Sequence, residues 1–150
     1  MASSESILRP AVPADLPEIL ALLEIANLPV EGVADHLPGF LIAEFDACPA
    51  ACGGLERYGA EALLRSVAVR PAHRRSGLGN RIVKTLIETA RREGIRTVVL
   101  LTTTAAGYFP RFGFESIDRS AVPESLRRSA ELRGACPSTA TAMRLELRRG

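Results

Sequence analysis

Two sets of residues in this chain have the types and spacing to do chemistry. Arg74, Gly77 and Gly79 form the pattern R-x-x-G-x-G between a β-branched stretch ending Val67-Ala68-Val69 and an amphipathic run to Arg92. Glycines let the backbone approach a ligand closely, and a helix N-terminus offers unpaired N–H groups at the positive end of its dipole. An anion, most naturally a pyrophosphate, is the expected occupant. The second feature is Arg65, an arginine within the apolar stretch Leu63 to Val69. Strand alternation puts it on one face with Leu63 and Val67. Such a cation is costly to bury unless an anion meets it, and its planar fork suits a carboxylate or an oxyacid. That anion is either the acid group of a substrate or Glu56 in a structural salt bridge.

The charge distribution supports the first feature. The net charge is +2, but residues 1–64 hold 10 acidic and 2 basic side chains, whereas residues 65–96 hold 9 basic and 2 acidic ones. The basic block coincides with the glycine loop and its helix, as a phosphate-rich ligand would require. Aromatic residues make up only 5% of the chain, with no stacking residues interleaved among the cations. That argues against nucleic acid as a partner. No apolar run reaches the roughly 18 residues of a membrane span, and the N-terminus lacks a signal-peptide pattern, so a cytoplasmic location is expected. Cys48, Cys52 and Cys136 follow no disulfide spacing. Cys48 and Cys52 would chelate a soft metal if they faced each other; otherwise all three are small packed thiols, and no metal is expected. His36, beside a proline break, reads as a surface or packing residue rather than a proton carrier.

The elements that position these residues follow from periodicity. At 150 residues the chain suits one domain spanning 1–150. Ile7 to Arg9 reads as a strand. Asp15 sits at an N-cap position before a helix with Leu16, Ile19, Leu20, Leu22 and Leu23 on its apolar face, stopped by Asn27 to Pro29. A second short helix is expected over Val30 to His36. Phe40 to Phe45, Ala51 to Tyr58 and Ala62 to Val69 read as an antiparallel meander, with Asp46 to Pro49 as the first turn. Gly53 and Gly54 suggest a bulge or a close backbone neighbour. A helix over 76–93, with Gly94 as its cap, leads to a buried strand over Thr97 to Leu101. Short helices are expected from Ala105 to Phe112 and from Pro123 to Arg133, the strand opened by Gly113-Phe114 lies between them, and a last strand runs from Thr139 to Leu147. Met1 to Glu5 and Arg148 to Gly150 read as frayed. The order predicts an α/β (α+β) domain with a mixed, mostly antiparallel sheet, helices on both faces and a central βαβ unit.

The strand Val67-Ala68-Val69 followed by proline, the R-x-x-G-x-G loop opening a helix, and Ala105 followed by Gly113-Phe114 together resemble the GNAT superfamily of acetyl-CoA-dependent N-acetyltransferases. The run Leu100 to Ala105, then Tyr108-Phe109, Gly113-Phe114 and Val122-Pro123, looks like the acetyltransferase domain of N-acetylglutamate synthases. Leu64 to Val67, Thr102 to Ala105 and Cys136-Pro137-Ser138 are also similar to stand-alone arsenic-resistance N-acetyltransferases. The resemblance implies the GNAT acyl-CoA N-acyltransferase fold, with two parallel strands splayed to admit acetyl-CoA as co-substrate. Backbone groups of Val67, Ala68 and Val69 would bind its pantetheine arm beside Thr102. The loop of Arg74, Arg75, Ser76, Gly77, Leu78, Gly79 and Asn80 would hold its pyrophosphate.

The implied acceptor is a small acidic amino acid of glutamate type, or an organoarsenical analogue such as arsinothricin, acetylated directly in a ternary complex. A small-molecule amine is then the partner, and a homodimer stays open. Many members draw the leaving-group proton from a tyrosine four residues before the Gly-Phe pair; here that position is Phe109, and Tyr108 is its neighbour, about 100° away on a helix. The family's strand carboxylate falls at Leu63. Glu56, one strand over, is left as the base, working through water, unless a solvent chain does that work. Arg65 would read the substrate's acid group with Glu56 nearby, and Arg127, Ser129 and Ser138 are further substrate candidates. A peptide or antibiotic acetyltransferase, or an acyl-CoA sensor without turnover, are the alternatives.

Overall fold

The computed structural model describes residues 6–147; the segments read above as frayed, 1–5 and 148–150, lie outside it. Among the described residues seven strands form one sheet: β1 (Ser6–Pro10), β2 (Phe40–Phe45), β3 (Cys48–Tyr58), β4 (Glu61–Val69), β5 (Thr97–Thr102), β6 (Glu115–Ile117) and β7 (Thr141–Glu146). Their order across the sheet is β1-β2-β3-β4-β5-β7-β6. Only β4 and β5 run parallel, joined by the helix α2 (Leu78–Arg92) as a βαβ crossover. The helix α1 (Leu16–Ile25) lies on the opposite face. Its Ile19, Leu22 and Leu23 pack with Phe40, Ile42, Cys52 and Ala68. Across the sheet, Ile82, Val83 and Leu86 of α2 pack with Leu55, Leu64, Val98 and Leu100.

Several local details depart from the periodicity, each for a physical reason. Asp15 precedes α1 but makes no side-chain cap. Its carboxylate turns back to the Val12 N–H and to the guanidinium of Arg9, 2.7 Å away. The expected helix over Val30 to His36 is instead a 3-10 turn at Ala34–Gly39. The carbonyls of Pro29 and Glu31 accept hydrogen bonds from Arg65, so they are lost to a helical ladder. Between Ala105 and Phe112 only Phe109–Phe112 forms a 3-10 turn, since Gly107 and Pro110 weaken a longer helix. The segment after Pro123 breaks into a 3-10 turn at Glu124–Arg128 and a wide turn at Glu131–Ala135, with Ser129 extended between them. The first hairpin tightens to Asp46-Ala47, both at positive φ, which lets β3 start at Cys48.

A bulge shapes the functional half of β4. Cys52 pairs with Ala68 and Gly54 with Arg65, so β4 carries one extra residue there, and Ser66 adopts φ +64. The extra residue resets the alternation. Val67 therefore turns to the α2 side, within reach of Gly53 and Ile82, and does not share the face of Leu63 and Arg65. The glycines opposite serve close packing: a Cβ on Gly54 would lie 2.5 Å from the Phe40 ring, and one on Gly53 2.6 Å from Ile82.

Candidate active site

β4 and β5 pair only from Glu61–Leu63 to Thr97–Val99. Beyond those residues the bulged β4 and the straight β5 have no ladder between them, and a cleft of about 1360 Å³ opens. Val67, Ala68 and Val69 line it from one strand and Thr102 from the other. Arg74, Arg75, Gly77, Leu78, Gly79 and Asn80 line one end. Ser76 is the exception among the residues expected at the cofactor: it lies outside the lining, and its hydroxyl donates to the His73 carbonyl. Gly77 precedes α2 at φ +87, a left-handed conformation that a side chain would strain. The Arg81 N–H closes the first helical bond onto the Gly77 carbonyl, leaving the N–H groups of Leu78, Gly79 and Asn80 ahead of the ladder. Parted strand edges, unpaired helix donors and two arginines fit a long chain ending in a pyrophosphate.

Tyr108 lines the same cleft. It stands just before the 3-10 turn rather than on a helix, so the one-residue offset from Phe109 does not carry it away from the cleft. Its hydroxyl donates to Asn80 Oδ1 at 2.5 Å, and the guanidinium of Arg111 stacks on its ring at 4.4 Å. Burial raises the Tyr108 pKa, partly opposed by the charge of Arg111, so the phenol stays protonated at neutral pH. Phe109 packs edge-on against Phe114 in the apolar cluster beneath.

The other end is organised by Arg65. Its Nη1 donates to Glu56 Oε2 and to the Glu31 carbonyl, both at 2.7 Å, and Nη2 donates to the Pro29 carbonyl at 3.1 Å. Its Nε donates to Ser66 Oγ at 2.9 Å and lies 3.3 Å from Glu131 Oε2. Of the two roles open to it, the geometry gives the internal salt bridge: the guanidinium joins the loop after α1, strand β3 and the C-terminal turn. Glu56 is fully buried and absent from the cleft lining. Burial raises its pKa, but hydrogen bonds from Tyr58, Arg65 and Ser129 and the charge of Arg65 outweigh that and hold it below the ordinary carboxylate range. A carboxylate held that low, away from the cleft, is badly placed to take a proton from an amine. Tyr58 donates to Glu56 at 2.5 Å, and its own phenol is pushed up to about 12 by burial and that acid.

Other expected residues stay outside the cleft. Arg127 pairs with Glu124 at 3.2 Å and donates to the Arg119 carbonyl, while Ser138 is exposed and absent from the lining. Ser129 is buried beneath Glu56, its hydroxyl accepting the Glu131 N–H. His36 is half-buried at 3.6 Å from Glu56, where it packs against the Tyr58 ring. Cys52 is buried, its thiol donating to the Ser66 carbonyl, and Cys48 is exposed, so they share no chelating surface. Glu131 and Cys136, by contrast, do line the cleft. The sequence hid Glu131 inside the helix expected from Pro123 to Arg133; its one trace was the need of Arg65 for a buried anion.

The profile of the acetyltransferase (GNAT) family matches residues 6–114. An uncharacterized N-acetyltransferase of Chlorobaculum tepidum is 28% identical over 100 residues, 66% of this chain and 64% of that protein. The amino-acid acetyltransferase of Neisseria meningitidis serogroup A is 28% identical over 137 residues, 85% of this chain but 31% of that protein. Among solved structures, N-acetylglutamate synthase from Neisseria gonorrhoeae, complexed with coenzyme A and N-acetyl-glutamate, matches with a TM-score of 0.82 at 25% identity. That match covers 99% of this chain and 36% of the synthase chain. This chain therefore spans about a third of the amino-acid acetyltransferases it resembles. The mixed sheet, the splayed parallel pair and the glycine loop are those of the GNAT fold, and the chain belongs to the acetyltransferase (GNAT) family.

Proposed function

We propose that the protein is an acetyl-CoA-dependent N-acetyltransferase acting on the α-amino group of a small amino acid, with glutamate and its close analogues, organoarsenical ones included, as the first acceptors to test. The observation that carries this reading is the cleft between β4 and β5, with the glycine loop at one end and the Arg65 cluster at the other. One continuous cleft lets donor and acceptor meet directly, which favours transfer in a ternary complex. The amino-acid acceptor is supported by the kinship to amino-acid acetyltransferases over 85% of the chain.

Acetyl-CoA, when bound, supplies the thioester carbonyl and the thiolate leaving group. The chain's own contribution starts at the helix donors of Leu78 to Asn80, which with Arg74 and Arg75 would hold the phosphates. The edge of β4 beyond Leu63, without a strand partner in β5, offers backbone groups to the pantetheine. Tyr108 is a phenol on the lining that is protonated at neutral pH and more acidic than the aliphatic hydroxyls beside it, and Asn80 fixes its direction. We assign it the proton for the departing thiolate.

Release of free thiol from acetyl-CoA in the presence of an amino-acid panel tests this function. Thiol release that depends on the amino acid, with an N-acetyl product, is the expected result. Binding of acetyl-CoA without thiol release for any amine would leave an acyl-CoA sensor; release with peptides or aminoglycosides alone would point to those acceptors instead.

A further inference from the structure

Three carboxylates among the described residues line the cleft: Glu24, Glu31 and Glu131. Glu24 and Glu31 are exposed, whereas Glu131 is 3% exposed. It belongs to the same end of the cleft as the Pro29–Glu31 loop, because Arg65 bonds both. Arg65 serves two acids unequally. Glu56 holds it at 2.7 Å and adds hydrogen bonds from Tyr58 and Ser129, while Glu131 lies 3.3 Å from a Nε that already donates to Ser66. Glu131 is thus the weakly neutralised partner, and it is the one that faces the substrate space.

We infer that Glu131 is the catalytic base, accepting the proton of the acceptor's α-ammonium group at the cleft wall. The inference rests on the acetyl-transfer reading above. An N–H bond of the ammonium breaks, its electron pair stays on nitrogen, and the proton passes to a Glu131 carboxylate oxygen and then to solvent. The freed lone pair forms the new C–N bond as the C–S bond breaks, Tyr108 gives its proton to the departing thiolate, and the second nitrogen proton restores the Tyr108 phenol. The products are the amide, a free thiol and one proton.

The groups facing Glu131 are consistent with this work. Arg65 and Glu56 approach from β4 and β3, Glu31 from the loop after α1, and the Cys136 thiol from its own turn. Burial pushes the Glu131 carboxyl up to about 7; Arg65 and the Cys136 hydrogen bond lower it, and Glu56 and Glu31 raise it. A base with that affinity is matched to neutral pH. The thiol is no competitor as a nucleophile, because burial and Glu131 raise it to about 12.

The test is the pH profile of kcat/KM for the best amino acid in wild type, Glu131→Gln and Glu131→Asp, alongside acetyl-CoA binding by thermal shift. Wild type is expected to show an acidic limb near pH 7, with activity rising as pH rises. Glu131→Gln is expected to lower kcat/KM by about 10²-fold or more, remove that limb and leave acetyl-CoA affinity within about threefold. Glu131→Asp retains a carboxylate and is expected to keep the limb at reduced rate. A Glu131→Gln enzyme of wild-type rate, or one that keeps the limb, overturns the assignment while wild-type turnover preserves the acetyl-transfer reading. Should Glu131→Gln fail to fold, Glu131→Asp decides: a limb retained supports the assignment and a limb lost overturns it. Wild type that releases no thiol with any amine overturns the acetyl-transfer reading itself.

Discussion

Arg65 Nη1 and Glu56 Oε2 lie 2.7 Å apart across β3 and β4, with both side chains wholly buried. Two ions removed from water are tolerable only when geometry and additional hydrogen bonds compensate. Here the backbone carbonyls of Pro29 and Glu31, the Ser66 hydroxyl and the Tyr58 phenol supply them.

Removing one partner leaves the other charged and buried. Arg65→Ala is expected to lower unfolding free energy by about 3–5 kcal/mol in urea titration. Arg57→Ala, which breaks an exposed pair with Glu93, is expected to cost less than about 1 kcal/mol. Equal costs would contradict the buried-pair account.

Glu131 ties stability to pH in a definite direction. Its folded pKa of about 7 stands above the ordinary carboxylate value of 4.5, so the folded state favours the proton. The stabilisation is complete below pH 4.5 and is lost as pH rises through 7. Melting temperature should therefore fall over that window in wild type and fall less in Glu131→Gln. A substitution that lowers activity and raises the melting point at alkaline pH, measured by calorimetry, is the expected combination.

The close packing under the bulge has its own cost. Gly54→Ala would drive a Cβ to within 2.5 Å of Phe40, a ring fully enclosed between the sheet and α1. A loss of about 1–3 kcal/mol is expected, with the midpoint of chemical denaturation as the measurement.

Tyr108→Phe removes a cleft hydroxyl without removing the ring that packs on Arg111. A fall of about 10²-fold in kcat, with the KM for the amino acid little changed, is expected if this hydroxyl protonates the leaving group. An unchanged kcat would assign the hydroxyl to holding Asn80 alone.

Much of the framework was legible because it rests on local rules. β-branched runs, turn residues and the R-x-x-G-x-G loop mark β2, β4, β5 and the start of α2, and their order yields the parallel pair within an antiparallel sheet. The departures come from long-range contacts. Ser66 at positive φ has no local signature, yet it moves Val67 to the other face. The loop after α1 takes its shape from Arg65, more than thirty residues downstream, and the broken turn after Ser129 from Glu56 on a distant strand. Glu131 was invisible for the same reason: only the folded chain brings it beside Arg65. That Arg65 needs an anion was readable from a cation in an apolar strand, but the sequence left a substrate acid group and Glu56 as its two claimants, and only the folded chain shows Glu56 at 2.7 Å.

The most direct measurement is thiol release from acetyl-CoA by the purified protein with single amino acids, paired with mass identification of the product. Release that requires both partners, a product carrying one acetyl group on the α-nitrogen, and glutamate-type acceptors leading in kcat/KM are the expected results. Tight binding of acetyl-CoA with no acetylated amino acid under any condition would contradict the proposed function.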